Sequence, residues 1–157
     1  MKLDLRTAVL VLPLSCTLSL GPVAYASSSV DDNLPDAQAL AQLEIRAQQA
    51  GPRDQCFLYT ELVHTMTEIA GKQMLNGDVD QASATLKKVN HYAQLIHMDL
   101  ASNSKRIKNA EMLMHHTTYR LTEFLHKASS EDQDTLKLTL KQLDKVHEEL
   151  LAEVLRH

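Results

Sequence analysis

The sequence predicts an all-α protein made of antiparallel helical hairpins, in a coiled-coil-like bundle around a long central helix over about residues 80–128. One observation is that residues 78–128 contain neither Gly nor Pro. Another is that apolar or small residues recur in this stretch at steps of four and three, the period of a helical seam. The whole chain has only 4 Gly, 4 Pro and 4% aromatic residues. This composition disfavours a sheet with many turns.

The apolar stripe leaves two alternatives for the central helix. It passes in phase through residues 102–104, which are weak helix formers, and a loop would usually reset the phase. The phase therefore favours one continuous helix, and the alternative is a break near residues 102–104. The stripe consists of Ala82, Leu86, Val89, Ala93, Ile96, Leu100, Ile107, Ala110, Met114, Thr117, Leu121 and Phe124.

The N-terminal residues have the pattern of an export signal. Lys2 and Arg6 precede an apolar run over residues 7–20, which is too short to span a bilayer comfortably. Ala24-Tyr25-Ala26 then gives the small-x-small pattern of a cleavage site. We expect residues 1–26 to be a cleaved signal peptide, with a retained membrane anchor as the alternative.

The predicted mature chain begins with a polar stretch and continues as helix. Residues 27–34 are expected to be a disordered leader, and residues 35–157 a single helical domain. No later segment is apolar enough to span a membrane, so we expect no span in the mature form. The predicted location is periplasmic or secreted.

Three further helices flank the central stretch. The first ends near Ala50, before Gly51-Pro52, and the second covers about residues 53–75, before Asn76-Gly77. The last covers about residues 131–156, after a Ser130 capping box. The apolar stripe of the second helix consists of Tyr59, Leu62, Met66, Ile69 and Gln73, and that of the last consists of Leu136, Leu140, Leu143, His147, Leu150 and Val154.

The junction after the second helix resembles part of a known repeat. Gly77-Asp78-Val79-Asp80-Gln81-Ala82, followed by Leu86 and Val89, is similar to the turn and second helix of a tetratricopeptide repeat. The resemblance covers about 34 residues, and stacks of such repeats need about three copies to bury a core. No second copy occurs in the sequence, so the resemblance implies only a tight antiparallel hairpin.

Charge and motifs exclude several classes of function. The net charge is −4, without the basic excess that nucleic-acid binding requires. No nucleophile–base pattern is visible, and Ala70-Gly71-Lys72-Gln73 lacks the first Gly and the final Ser or Thr of a phosphate loop. We therefore predict a protein that is not an enzyme.

Cys56 is the only cysteine left after removal of the predicted signal peptide. One cysteine cannot form an internal disulfide. Its position in an apolar helical segment favours a buried, inert thiol. A reactive thiol, or an intermolecular disulfide, is the alternative.

Two groups of residues have metal-ligand chemistry. Glu61 to His64 and Glu123 to His126 both read Glu-x-x-His, as in carboxylate-bridged di-metal bundles, but their helical phase points them away from the core. A second group, on the central stretch, combines thioether and imidazole donors that suit copper, with zinc as a further possibility. The candidate ligands are Met112, His115, His116 and Glu123.

One face of the central stretch is predicted to bind a partner. Met112, His116, Tyr119 and Glu123 align at steps of four, three and four, away from the apolar seam. A thin layer around a continuous helix would bury little apolar area, so we expect a homodimer or a complex with another envelope protein. The predicted function is an exported, non-catalytic helical interaction or scaffold protein. The alternative is a periplasmic metal-binding or metal-sensing protein with His and Met ligands.

Overall fold

The computed structural model describes residues 36–99, 105–130 and 132–156, with side chains up to residue 96 in the first of these ranges. It contains five helices and, in these ranges, no strand, which confirms the all-α prediction. The helices are α1 (Ala37–Gln49), α2 (Pro52–Leu75), α3 (Val79–Asp99), α4 (Ile107–Lys127) and α5 (Gln133–Arg156). The predicted signal peptide and leader lie outside the described residues.

Helices α2 to α5 pack as a four-helix bundle. Helix α2 contacts α3 and α4, and α5 contacts the same two helices, so α3 and α4 occupy diagonal corners. The order around the bundle is therefore α2, α3, α5, α4. Helix α1 packs on α2, with Ala47 fully buried.

Side-chain contacts give the directions of the helices. Gln73 contacts Thr85 and Tyr59 stacks on Tyr92, so α2 and α3 are antiparallel. Between α2 and α4, Phe57 lies under Arg106 at one end and Gly71 lies against Phe124 at the other. Helices α2 and α4 are therefore parallel and lie side by side.

The favoured continuous helix over residues 80–128 is wrong. Helix α3 ends at Asp99, α4 begins at Ile107, and between them the Lys105 N–H donates to the carbonyl of Arg53 at 3.3 Å. The break falls where the alternative placed it, although residues 100–104 themselves lie outside the described residues. Folding back lets both helices bury their stripes against α2 and α5, and this hydrophobic gain outweighs the lost helical hydrogen bonds.

The stripe itself is a correct prediction of the core. Ten of its twelve positions are buried, Ile107 is half-buried, and Leu100 lies outside the described residues. Helix α2 has the widest buried surface, because it contacts three other helices. Its buried residues are Cys56, Phe57, Leu58, Tyr59, Thr60, Leu62, Val63, Met66, Thr67, Ala70 and Gly71.

The closed core also removes one argument for a homodimer. A thin layer around one continuous helix would need a second copy to cover it. Four helices instead enclose fully buried side chains such as Leu62, Leu86, Met114 and Leu143. Self-association therefore depends on the exposed faces of the helices rather than on an incomplete core.

The turn between α2 and α3 is the tight hairpin that the sequence implied. The Asp78 N–H donates to the carbonyl of Gln73 at 2.8 Å, and the Gly77 N–H donates to the carbonyl of Met74 at 3.0 Å. These two bonds form a Schellman motif, which ends a helix with a residue in the left-handed conformation. Gly77 occupies that position, with a φ of +84°.

Replacing Gly77 is expected to destabilise the protein through its backbone conformation alone. A Cβ at Gly77 would meet no atom within 4 Å, so the effect is not a steric clash with the surroundings. We expect Gly77→Ala to lower the free energy of unfolding by about 1 kcal/mol, since L-residues other than Asn and Asp disfavour a positive φ. Urea unfolding followed by circular dichroism measures this. Gly77→Asn should cost less than Gly77→Ala, and the reverse order would contradict the explanation.

Candidate functional site

The groove along the shared edge of α2 and α4 brings together polar side chains that are far apart in sequence. Helix α2 contributes His64 and Glu68, and α4 contributes His116, Thr117 and Arg120. The two helices are parallel and adjacent, so residues one turn apart on α2 face residues one turn apart on α4. We call these five residues the α2–α4 groove.

A bidentate ion pair joins the helices within the groove. Arg120 donates from Nε to Glu68 Oε1 at 2.7 Å and from Nη2 to Glu68 Oε2 at 2.9 Å. Its Nη1 donates to Glu123, and the guanidinium lies 4.9 Å from the centre of the Phe124 ring. The hydrogen bond from Arg120 lowers the pKa of Glu68, and the same bond raises the pKa of Arg120. Both groups are therefore charged at neutral pH.

His64 is held in one orientation by Thr117. The His64 Nδ1 lies 3.0 Å from Thr117 Oγ1, and that hydroxyl donates its only hydrogen to the carbonyl of Leu113 at 2.7 Å. The hydroxyl oxygen must therefore accept, so His64 donates from Nδ1. In the neutral imidazole this arrangement leaves the lone pair on Nε2.

Burial keeps the imidazole of His64 neutral. Desolvation is the main cause that lowers the pKa of His64 below 6.5, and the positive charge of Arg120 and the neighbouring His116 act in the same direction. The Glu68 carboxylate acts in the opposite direction and offsets only part of this effect. At pH 7 the Nε2 lone pair is accordingly available as an acceptor or a ligand.

His116 lies next to His64 across the groove. The two ring centroids are 5.4 Å apart, and the ring planes are inclined at 45°. His64 is partly buried, whereas His116 is exposed. Two imidazoles from different helices therefore meet at the open edge of the groove.

The sequence neighbour His115 points to the opposite side of α4. Its ring centroid lies 5.1 Å from that of His147 on α5, and His147 Nε2 lies 3.1 Å from Glu111 Oε1. The structure thus separates His115 from His116, although both were predicted as ligands of one metal. Among the residues that the structure describes, no three His, Cys, Asp or Glu side chains converge on a common point.

The predicted interaction face lies on the outer side of α4. Met112 and Tyr119 are each 59% exposed, and His116 between them is also exposed. Glu123 is partly buried and is held by Arg120 of the same helix. Three of the four predicted residues are therefore open to solvent, and the fourth is already engaged in an ion pair.

The remaining candidates from the sequence are Cys56 and the two Glu-x-x-His patterns. Cys56 is fully buried, so solvent oxidants do not reach its sulfur in this conformation. Of the two Glu-x-x-His patterns, Glu61 is partly exposed and His126 is exposed, as their helical phase indicated. His64 likewise lies outside the core, at the groove.

The sequence did not reveal the pairing of His64 with His116 or of Glu68 with Arg120. Both pairs depend on α2 and α4 being parallel neighbours, which follows only from the break between α3 and α4. The signal that was present is the spacing: His64 and Glu68 are four apart on α2, and His116 and Arg120 are four apart on α4. Parallel neighbouring helices match such spacings.

The lowered pKa of His64 predicts an effect of pH on stability. In the unfolded chain the His64 imidazole binds a proton near pH 6.5, whereas in the folded protein its pKa is lower. The free energy of unfolding therefore has its full value above pH 6.5 and decreases as the pH falls below 6.5. His64→Asn keeps a donor for Thr117 but does not titrate. We expect the fall in unfolding free energy between pH 7 and 5 to be smaller in His64→Asn than in the wild type. Equal falls would contradict this assignment.

Comparison of the chain with family models, with curated proteins and with solved structures gives no match. Among the described residues, no helix combines the length and apolar character that crossing a membrane requires.

Proposed function

We propose that the protein is an exported, non-catalytic helical interaction protein that binds a partner through the outer face of α4. The observation that carries the proposal is the exposure of Met112 and Tyr119 at 59% each on one face of a helix whose opposite face is fully buried. Met and Tyr are enriched at protein interfaces, where they bury large areas at low entropic cost. Export is supported by the signal-like pattern of residues 1–26.

The partner that this face fits is a second copy of the chain. Along α4, Met112 and Tyr119 are equally distant in sequence from the point midway between His115 and His116. Lys108 and Glu123 are also equally distant from that point. An antiparallel pairing of two α4 helices about a two-fold axis at that point places Met112 against Tyr119 and Lys108 against Glu123. Both contacts then occur twice, as an isologous interface requires. Such a pair is a short, two-stranded coiled-coil-like contact.

Size-exclusion chromatography with light scattering tests the proposed dimer. We expect a dimer at micromolar concentration, and we expect Tyr119→Glu to shift it to monomer. Leu138→Glu is the matched control, because Leu138 is 70% exposed on α5, away from the proposed interface. A wild-type monomer at these concentrations would contradict the choice of partner, and the other envelope proteins would then be the candidates.

A charge exchange tests the register of the two helices. We expect Lys108→Glu to weaken the dimer, because two carboxylates then face each other at both ends of the interface. The combination of Lys108→Glu with Glu123→Lys should restore it. If the double variant is weaker than the single one, the two-fold axis does not lie between His115 and His116.

A further inference from the structure

Three side chains with soft or borderline metal-ligand chemistry lie at the open edge of the α2–α4 groove. His64 and His116 supply imidazoles from two helices, with ring centroids 5.4 Å apart. Met112 precedes His116 by one helical turn on the same exposed face, and side chains at this spacing are neighbours. The thioether of Met112 is thus a helical neighbour of the His116 imidazole, which in turn lies next to His64.

The separation of the two rings fits a shared metal ion. A metal–nitrogen bond is about 2.0 Å, so two imidazoles that bind one ion hold their ring centroids roughly 5 to 6 Å apart. The 5.4 Å between His64 and His116 lies within this range. The centroid separation is therefore compatible with one ion between the two imidazoles.

The surroundings of His64 are those of a metal ligand. A ligating His usually donates its second ring N–H to a fixed acceptor, which sets the tautomer and the ring orientation. His64 does this through Nδ1 and Thr117, whose hydroxyl is in turn fixed by the carbonyl of Leu113. The free nitrogen is therefore Nε2, on the far side of the ring from Thr117.

The available donor atoms favour a soft metal over hard divalent ions. Arg120 engages both Glu68 and Glu123, so neither carboxylate is free to bind a metal. Two imidazoles and a thioether, without a carboxylate ligand, favour a soft metal such as Cu(I).

We propose that His64, His116 and Met112 bind one Cu(I) ion at the open edge of the α2–α4 groove. This site gives the metal-binding alternative predicted from the sequence a specific ligand set: it retains Met112 and His116, adds His64, and omits His115 and Glu123. All three ligands belong to one chain, but Met112 and His116 also lie on the proposed dimer face, so the titration is made on the Tyr119→Glu variant, which is expected to be monomeric, as well as on the wild type.

An anaerobic titration of the full chain with Cu(I), against a chromophoric Cu(I) chelator, tests the proposal. We expect one Cu(I) per chain, and we expect His64→Asn and His116→Asn each to lower the affinity by about tenfold or more. Met112→Leu should lower it as well, while its far-ultraviolet circular dichroism stays that of the wild type. Thr117→Val is expected to lower it by about tenfold, through loss of the orientation of His64.

The second imidazole pair provides the matched control. His115 and His147 lie at a similar centroid distance, 5.1 Å, but His147 Nε2 is engaged by Glu111. The combination of His115→Asn with His147→Gln should leave Cu(I) affinity unchanged. The proposal is overturned if the wild type does not bind Cu(I), if the His64→Asn and His116→Asn double variant binds it as well as the wild type, or if only Zn(II) binds at these residues.

Discussion

Leu62→Ala is expected to lower the free energy of unfolding by about 3 kcal/mol, within the range of 2 to 5 observed for buried Leu to Ala changes. Leu62 is fully buried near the middle of α2, the helix that contacts α1, α3 and α4. Removing its side chain loses apolar burial and leaves a cavity that the surrounding core fills only in part. Urea unfolding of both proteins, followed by circular dichroism, measures the difference.

The control for this prediction is a leucine of equal size at the surface. Leu138 on α5 is 70% exposed, so Leu138→Ala should change the free energy of unfolding by no more than about 0.5 kcal/mol. The contrast between the two substitutions tests the central position of α2. Similar costs at Leu62 and Leu138 would contradict the described packing.

Gly71→Ala is expected to cost about 2 kcal/mol, because an added methyl group would overlap the ring of Phe124. The Phe124 ring of α4 occupies the space that a side chain at Gly71 of α2 would fill. The Phe124 ring, 4% exposed in the native packing, would have to move into the adjoining open cleft of about 310 Å³ and lose burial. Alanine favours a helix interior over glycine by about 1 kcal/mol, which offsets only part of the cost.

A second substitution identifies the cause of the Gly71 effect. In the Phe124→Leu background the ring is absent, so Gly71→Ala should cost much less than in the wild type. The interaction energy between the two sites, measured by a double-mutant cycle of unfolding free energies, is the relevant quantity. Additive effects would show that Phe124 does not fill the space above Gly71.

The sequence was sufficient to predict most of the buried face of α3 and α4, although Tyr92 and Val146 are buried outside the predicted stripes and Leu140 and Val154 are only half-buried. Period and composition predicted apolar stripes on four helices, and positions on the central one such as Leu86, Ile96, Met114 and Leu121 are fully buried. This success has a simple cause: a helix buries one face wherever it packs, so the stripe is visible without knowledge of the neighbours. The hairpin at Gly77 was likewise local, because its two capping hydrogen bonds lie within six residues.

The apolar stripe did not predict the break between α3 and α4. Both helices present their apolar residues to the same core, so the phase can be continuous even where the chain reverses. The hydrogen bond from Lys105 to Arg53 and the contact of Arg106 with Phe57 are long-range interactions, with no signature in the local pattern. A periodicity argument therefore identifies buried faces better than it identifies helix ends.

The groove depends on this same break, which explains why its residues were only partly predicted. Met112 and His116 share one helix face and were visible as a pattern. The addition of His64, and the pairing of Glu68 with Arg120, required the parallel packing of α2 and α4. Residues on different helices become a site only through the topology that joins them.

The distance between spin labels on α3 and α4 tests the bundle most directly. Ala84→Cys and His126→Cys place the labels at exposed positions near the end of the bundle where Val79 and Lys127 line one cleft. The native Cys16 and Cys56 are replaced by alanine in this variant. Helices on diagonal corners of a bundle place these labels about 20 to 30 Å apart, and pulsed electron paramagnetic resonance should find that distance. One continuous helix, at 1.5 Å per residue, would place them about 63 Å apart. The longer distance would contradict the bundle, and with it the α2–α4 groove.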